Sequence, residues 1–308
     1  MGEDVSCINQ KGVGAKDFFP LRRQASKTTG QTTKVHIMRK TLLTLFVAAV
    51  ALLYAAPILF MVFSSFKPDE TVLVGLTGGD FFSADLSWQN YADVFARVSL
   101  DRAMFNSLFI TLSVVLLGLI VNSLAGYAFA RLHWSGRHIL FGLVLTLMII
   151  PFEAIAVPLF YQMTYLGWRD TYLVQILPFI ANAFSIYLFY TFFIGLPKEL
   201  EEAAQVDGAG PFRIFISLIL PNSKPVFASV TILTFLMQWG TFLWPLMVTS
   251  GDRVRPLPVA VAQFQTLPPL QWGDIMAFGV MMVVPVMVVF LLFQRWFITG
   301  IAATGTKG

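Results

Sequence analysis

Six continuous apolar runs, separated by polar stretches of unequal length, divide the chain at roughly residues 41–63, 104–130, 138–164, 171–195, 224–249 and 275–298. None alternates with a period of two, which argues against membrane β-strands. Each reaches the about 20 helical residues that cross a hydrocarbon core at about 1.5 Å per residue. Only helices satisfy their own backbone hydrogen bonds across that thickness. The pattern predicts an all-α membrane protein of six transmembrane helices.

Composition agrees. Of the 308 residues, 56% are hydrophobic and 12% charged, with a mean hydropathy of +0.72, against about a quarter charged in soluble domains. The net charge of +4 arises in the first forty residues, which points to membrane topology and away from nucleic-acid binding. With the N-terminus inside, only Lys67, Arg97, Arg102, Arg169, Arg253 and Arg255 fall outside, leaving 15 of the 21 Lys and Arg on the inner side. That bias predicts two cytoplasmic termini. It also makes 64–103 an outer loop, acidic through Asp69, Glu70, Asp80, Asp85, Asp93 and Asp101, and places 196–223 in the cytoplasm. Residues 1–38, rich in Lys, Thr, Gly and Gln, are expected to be a disordered extension. Residues 39–308 form one membrane domain without internal repeats. The first run follows forty polar residues and is too long for a signal-peptide core, so it is expected to remain as a helix. Cys7 is the only cysteine, and His36, His133 and His138 flank apolar runs, so no metal or disulfide chemistry is expected.

The stretch Glu201-Glu202-Ala203-Ala204-Gln205-Val206-Asp207-Gly208-Ala209, continuing to Pro221, is the conspicuous polar element of the second half. Pro197 suits a first helical position, and Glu199, Glu201 and Glu202 favour the positive end of a helix dipole. Leu200, Ala203 and Ala204 give a small apolar face, Gly208 a stop, and Gly210-Pro211 a turn before a second helix that leads to Pro221. Bundle helices are joined by about 2–8 residues, so a structured stretch this long calls for a purpose. Small residues admit a partner surface closely, and acids around them fix its register.

Glu202-Ala203-Ala204, three residues, Gly208, nine residues and Leu218-x-Leu220-Pro221 resemble the EAA motif of binding-protein-dependent ATP-binding-cassette importer permeases, with Leu218 where the family usually has Ile. Trp88-Gln89-Asn90-Tyr91, Asn106-Ser107-Leu108, Ala125-Gly126-Tyr127-Ala128-Phe129-Ala130-Arg131, Pro151 with Pro158, and Trp239 with Phe242-Leu243-Trp244-Pro245-Leu246 are similar to the carbohydrate-uptake branch, the maltose-type second permease. The likeness covers about residues 40–308. Gly240-Thr241 departs from the family, which often has Asn followed by a polar residue. The resemblance implies a type I importer permease fold in the bacterial cytoplasmic membrane. It implies a paralogous permease, two cytosolic ATPase subunits that bind ATP and magnesium, and an extracytoplasmic solute-binding protein. The implied ATPase-coupling residues are Glu201, Glu202, Ala203, Ala204, Asp207, Gly208, Ala209 and Pro221. The chain itself would hold no cofactor and catalyse nothing, and it carries no G-x-x-x-x-G-K-[ST] phosphate loop.

Glu153 is the ionisable residue deep inside an apolar run, between Pro151 and Pro158. An intramembrane carboxylate is costly and marks a pathway, a gate or a structural partner. Asn182 and Gln238 are amides within spans, suited to a pathway or to interhelical hydrogen bonds. Trp239 and Trp244 can stack on a sugar or pack. Two other classes compete with the importer. An ion-gradient-driven transporter could use Glu153 as a proton site, but it leaves 197–221 unexplained. A membrane enzyme would need more than one lone carboxylate.

Overall fold

The computed structural model describes residues 21–72, 86–97, 99–266 and 268–305, and among these every regular element is helical. Contacts divide the chain into residues 1–60 and 61–308. The first unit is the body of helix α1 (Leu21–Ser64). This helix begins inside the stretch expected to be a disordered extension, because Lys, Arg and Gln are good helix formers and an apolar helix behind them supplies the nucleus. Residues 1–20 lie outside the described residues.

The second unit is built around α3 (Leu100–Arg131), the long helix that crosses it without a break. Short α2 (Gln89–Arg97) precedes it. The third apolar run is not one helix. It forms α4 (Arg137–Thr146) and α5 (Phe152–Tyr165), parted at 147–151. Pro151 has no N–H to give and holds Ile150 out of helical backbone, which opens the run there. The fourth run is also interrupted. α6 (Tyr172–Ile176) passes through a 3₁₀ turn, Leu177–Phe179, before α7 (Ala183–Ile194). After α8 (Glu199–Val206) comes α9 (Pro211–Asn222), which meets α10 (Lys224–Trp239) at a bend of 80°. The fifth run stops at Gly240 and resumes as α11 (Leu243–Val248). α12 (Leu257–Phe264) and α13 (Trp272–Gly305) complete the chain. Among the described residues four helices are long and apolar enough to cross a membrane, or five if the bent α9–α10 pair counts as one.

Buried apolar clusters hold the second unit together. Val94, Leu100, Phe235, Leu257 and Phe278 join α2, α3, α10, α12 and α13. Tyr127, Phe189, Phe193, Phe215 and Val226 join α3, α7, α9 and α10. Met163, Val174, Trp244 and Val248 join α5, α6 and α11. Two side-chain networks pin the chain around the start of α3. Asn106 is fully buried, donates to the Arg253 and Arg255 carbonyls (3.2 and 2.9 Å) and accepts from the Tyr172 hydroxyl at 2.6 Å. Gln175 donates to the Val254 carbonyl at 2.8 Å, so the segment before α12 is stitched to α3 and α6. On α2, Asn90 donates to the Ser65 and Lys67 carbonyls, and Arg97 pairs with Asp274 of α13 at 2.9 Å.

The α3–α7 contact is the most extensive in the unit. A Cβ added at Gly126 would stand 2.5 Å from Phe189 Cβ and 3.0 Å from the Tyr190 nitrogen. Small residues at such a crossing let helix backbones approach where hydrophobic driving force is absent. Gly126→Val is expected to destabilise the chain by about 1–3 kcal/mol or more through overpacking. Gly142→Ala in α4, where nothing lies within 4 Å, serves as the neutral control. Thermal unfolding in detergent checks the pair, and equal melting of both variants would contradict the close approach.

Candidate functional site

The polar element between α7 and α10 is a helix, a glycine stop and a second helix, as its composition suggests, with differences in detail. Pro197 lies ahead of α8 and not at its first position. The helix hydrogen bonds begin at the Lys198 carbonyl, which accepts from the Glu201 and Glu202 nitrogens at 2.9 and 3.0 Å. At the far end Gly208 takes φ +78, its N–H reaches the Gln205 carbonyl, and the Ala209 N–H reaches the Ala204 carbonyl, both at 2.9 Å. This pair of reversed bonds is a complete Schellman stop, which needs a left-handed residue at that point.

The two adjacent glutamates face opposite ways. Glu202, Ala203, Val206 and Asp207 are exposed and share the outer side of α8. Glu201 is buried, and its Oε1 lies 3.1 Å from Arg131 Nε at the end of α3. The contact is Coulombic more than a well-aligned hydrogen bond. Ala204 and Ala209 are half-buried against the Tyr127–Phe193–Phe215 cluster. The sequence grouped Glu201, Ala204 and Ala209 with the partner-facing residues. A turn of about 100° per residue sends Glu201 and Ala204 inward while it turns Glu202 and Ala203 out.

Pro221 stands apart from this face, within α9. It cannot donate to the Ser217 carbonyl, and the helix answers with a π turn at Phe215–Ile219. Asn222 Nδ2 and Ser223 Oγ then donate to the Leu218 and Ile219 carbonyls at 2.7 and 2.5 Å, closing the helix before the 80° bend.

Burial raises the Glu201 carboxyl above its ordinary value, and neighbouring Arg131 and then Lys198 only partly offset this. Arg131 also donates through Nη2 to the Phe193 and Leu196 carbonyls at the end of α7. Tyr127 donates its hydroxyl to the Pro211 carbonyl at 3.3 Å. The sequence marked Arg131 as a motif terminus and a topology signal, and nothing in it announced a guanidinium turned inward.

The residues expected along a pathway do not converge. Glu153 sits exposed in the first turn of α5, just past the break at 147–151, where the helix dipole favours a carboxylate. Asn182 caps α7, accepting from the Ser185 nitrogen at 2.9 Å. Its backbone is held in turn by Asn122, which accepts from the Asn182 nitrogen at 2.9 Å and donates to the Ile180 carbonyl at 3.1 Å. Asn122 is the buried amide that the sequence reading passed over, although a polar residue inside the run 104–130 was a visible signal. Gln238 is half-buried at the end of α10. Trp239 is enclosed, stacks on Phe235 and donates to the Met282 carbonyl at 3.0 Å. Trp244 is fully buried and donates to the Val174 carbonyl at 2.8 Å. Both indoles are therefore occupied inside the chain and offer no ring face to a solute in this conformation. Among the described residues no group of His, Cys, Asp and Glu could hold a metal ion.

The described residues form apolar, interrupted helices, four of them long enough to cross a membrane, with one capped helix exposed on its polar side. Residues 122–302 match the binding-protein-dependent transport system inner membrane component family, and the chain belongs to it. It is 35% identical over 268 residues to the arabinooligosaccharides transport system permease protein AraQ of Halalkalibacterium halodurans, covering 87% of this chain and 96% of that protein. It is 31% identical over 277 residues to the trehalose/maltose transport system permease protein MalG of Thermococcus litoralis, covering 88% and 98%. It is 28% identical over 260 residues to the sn-glycerol-3-phosphate transport system permease protein UgpE of Agrobacterium fabrum, covering 82% and 92%. Its fold matches a chain of a bacterial ABC transporter involved in the import of the acidic polysaccharide alginate, with a TM-score of 0.72, 24% identity, and coverage of 87% and 98%. The chain is a transport subunit and not an enzyme.

Two outcomes follow from this geometry. With its folded value raised, Glu201 contributes stability that is present below the ordinary carboxyl range and lost as pH rises through the raised value. Glu201→Gln should therefore flatten the pH dependence of thermal unfolding from the ordinary carboxyl range upward, and an unchanged slope would place Glu201 in solvent. Trp244→Phe should lower the melting temperature, through loss of a buried hydrogen bond of about 1 kcal/mol, and leave solute preference in uptake assays unchanged.

Proposed function

We propose that this chain is the permease subunit of an ATP-binding-cassette importer that brings a sugar or sugar-like solute into the cytoplasm. In this reading residues 39–308 cross the bacterial cytoplasmic membrane six times, α4 and α5 together making one broken crossing, with both termini inside. A paralogous permease completes the pathway, an extracytoplasmic binding protein delivers the solute, and two ATPase subunits bind ATP and magnesium. The observation that carries the reading is α8. Its outer face of Glu202, Ala203, Val206 and Asp207 is small, acidic and exposed, and the Gly208 stop fixes the helix length. Such a face suits a groove on a soluble partner. The solute class rests on the names of the relatives, which transport arabinooligosaccharides, trehalose/maltose and glycerol-3-phosphate. Glu153 and Gln238 stay candidates for the pathway, since their side chains are not enclosed by the chain.

Gly208→Asp puts a side chain on a left-handed residue at a cost of about 1–2 kcal/mol and adds a charge beside the docking face. It is expected to abolish uptake and release the ATPase, while membrane insertion continues. Normal co-purification of the ATPase with this variant would overturn the docking role of α8. Uptake that persists without the ATPase and collapses with an uncoupler would instead make the protein gradient-driven. Cysteine labelling from either side of the membrane checks the six crossings.

A further inference from the structure

Arg131 touches three elements at once. It ends α3, its Nη2 donates to the Phe193 and Leu196 carbonyls that finish α7, and its Nε faces the Glu201 carboxylate of α8. Only 5% of its side chain and 10% of that of Glu201 are exposed. One turn earlier on α3, Tyr127 binds the Pro211 carbonyl, so the first turn of α9 hangs from the same helix. Between α7 and α8 the chain has only the non-helical residues 195–198. Without Arg131 and Glu201, the start of α8 would lose its polar tie to the ends of α3 and α7 and rest on apolar packing and that short link.

A guanidinium suits this joint and an ammonium does not. Its N–H groups are fixed in one plane and address two carbonyls and a carboxylate together, whereas a lysine offers a single point charge on a flexible stem. Nor does stability explain the pair. Burial holds the Glu201 carboxyl above its ordinary value despite Arg131, so desolvation outweighs the attraction. What a buried pair of this kind supplies is position.

We propose that Arg131 is a positioning residue for the coupling step, joining α8 through Glu201 to the ends of α3 and α7 so that the three move as one lever. A push on α8 then displaces α3 and α7, which Gly126 already locks side by side, and does not dissipate in the 195–198 link. The inference rests on the reading of α8 as the ATPase docking helix.

The test uses the complete importer reconstituted in vesicles with its ATPase and binding protein. ATPase retention, ATP hydrolysis and solute uptake are measured for the wild type, Arg131→Lys and Glu201→Gln. Both variants keep the outer face of α8 and are expected to retain the ATPase and hydrolyse ATP. Solute moved per ATP should fall about tenfold, within the usual range of a coupling free energy between two sites. An unchanged ratio of uptake to hydrolysis in both variants overturns the proposal. So does loss of ATPase retention and uptake in equal proportion in both, which would assign the pair to folding alone. If Arg131→Lys fails to assemble, the near-isosteric Glu201→Gln decides by the same ratio. A wild-type complex that takes up solute without any ATPase overturns the docking reading itself, an outcome separate from a variant that merely loses coupling.

Discussion

A carbonyl left open inside hydrocarbon has no water to turn to, so every break in a membrane helix must be closed by the chain itself. This protein breaks its apolar runs repeatedly, and much of its internal polar structure answers that demand. Asn122 closes the gap before α7, Trp244 reaches the last turn of α6, and Asn222 and Ser223 fold back onto α9. One partner is asked to do more than the rest. Arg131 satisfies the end of α7 and at the same time stands 3.1 Å from a carboxylate oxygen of the helix beyond it. The continuous α3 carries Asn122, Gly126, Tyr127 and Arg131, and its interrupted neighbours are built against it.

This arrangement separates two tasks along a short stretch of chain. The inner side of α8 is committed to the chain's own helices through Glu201, Ala204 and Ala209, and the outer side remains open. Docking, as proposed, needs an accessible face that holds its orientation. Both ends of α8 supply that orientation, one through the ion pair and the other through the reversed bonds around Gly208. The π turn within α9 and the 80° bend at its end place the joint between polar element and membrane helix beyond α8.

Much of this was legible in the sequence, and the failures have physical reasons. Apolar run length revealed helices, and glycine with acids revealed a capped polar helix, because both signals are local. Pro151 stood inside the run 138–164, yet run length alone made one helix of it. The tryptophans stayed open between two readings because stacking on a sugar and packing in a core ask for the same ring, and only the neighbours distinguish them. Glu201 and Arg131 were read as a docking acid and a topology charge. Their union joins residues seventy positions apart, and no local pattern encodes it. Asn122 could have been found, since an amide in the middle of an apolar helix needs a partner.

Glu201 and Glu202 are neighbours of identical chemistry with different masters. Whatever changes Glu201 must be answered by Arg131, a residue of the same chain, whereas under the proposed docking Glu202 answers to a surface on another polypeptide. Exchange of the ATPase for that of a related system would thus leave one glutamate indifferent and put the other under selection. Two adjacent letters of the sequence thus answer to two different surfaces, one inside the subunit and, under the proposed docking, one on its partner.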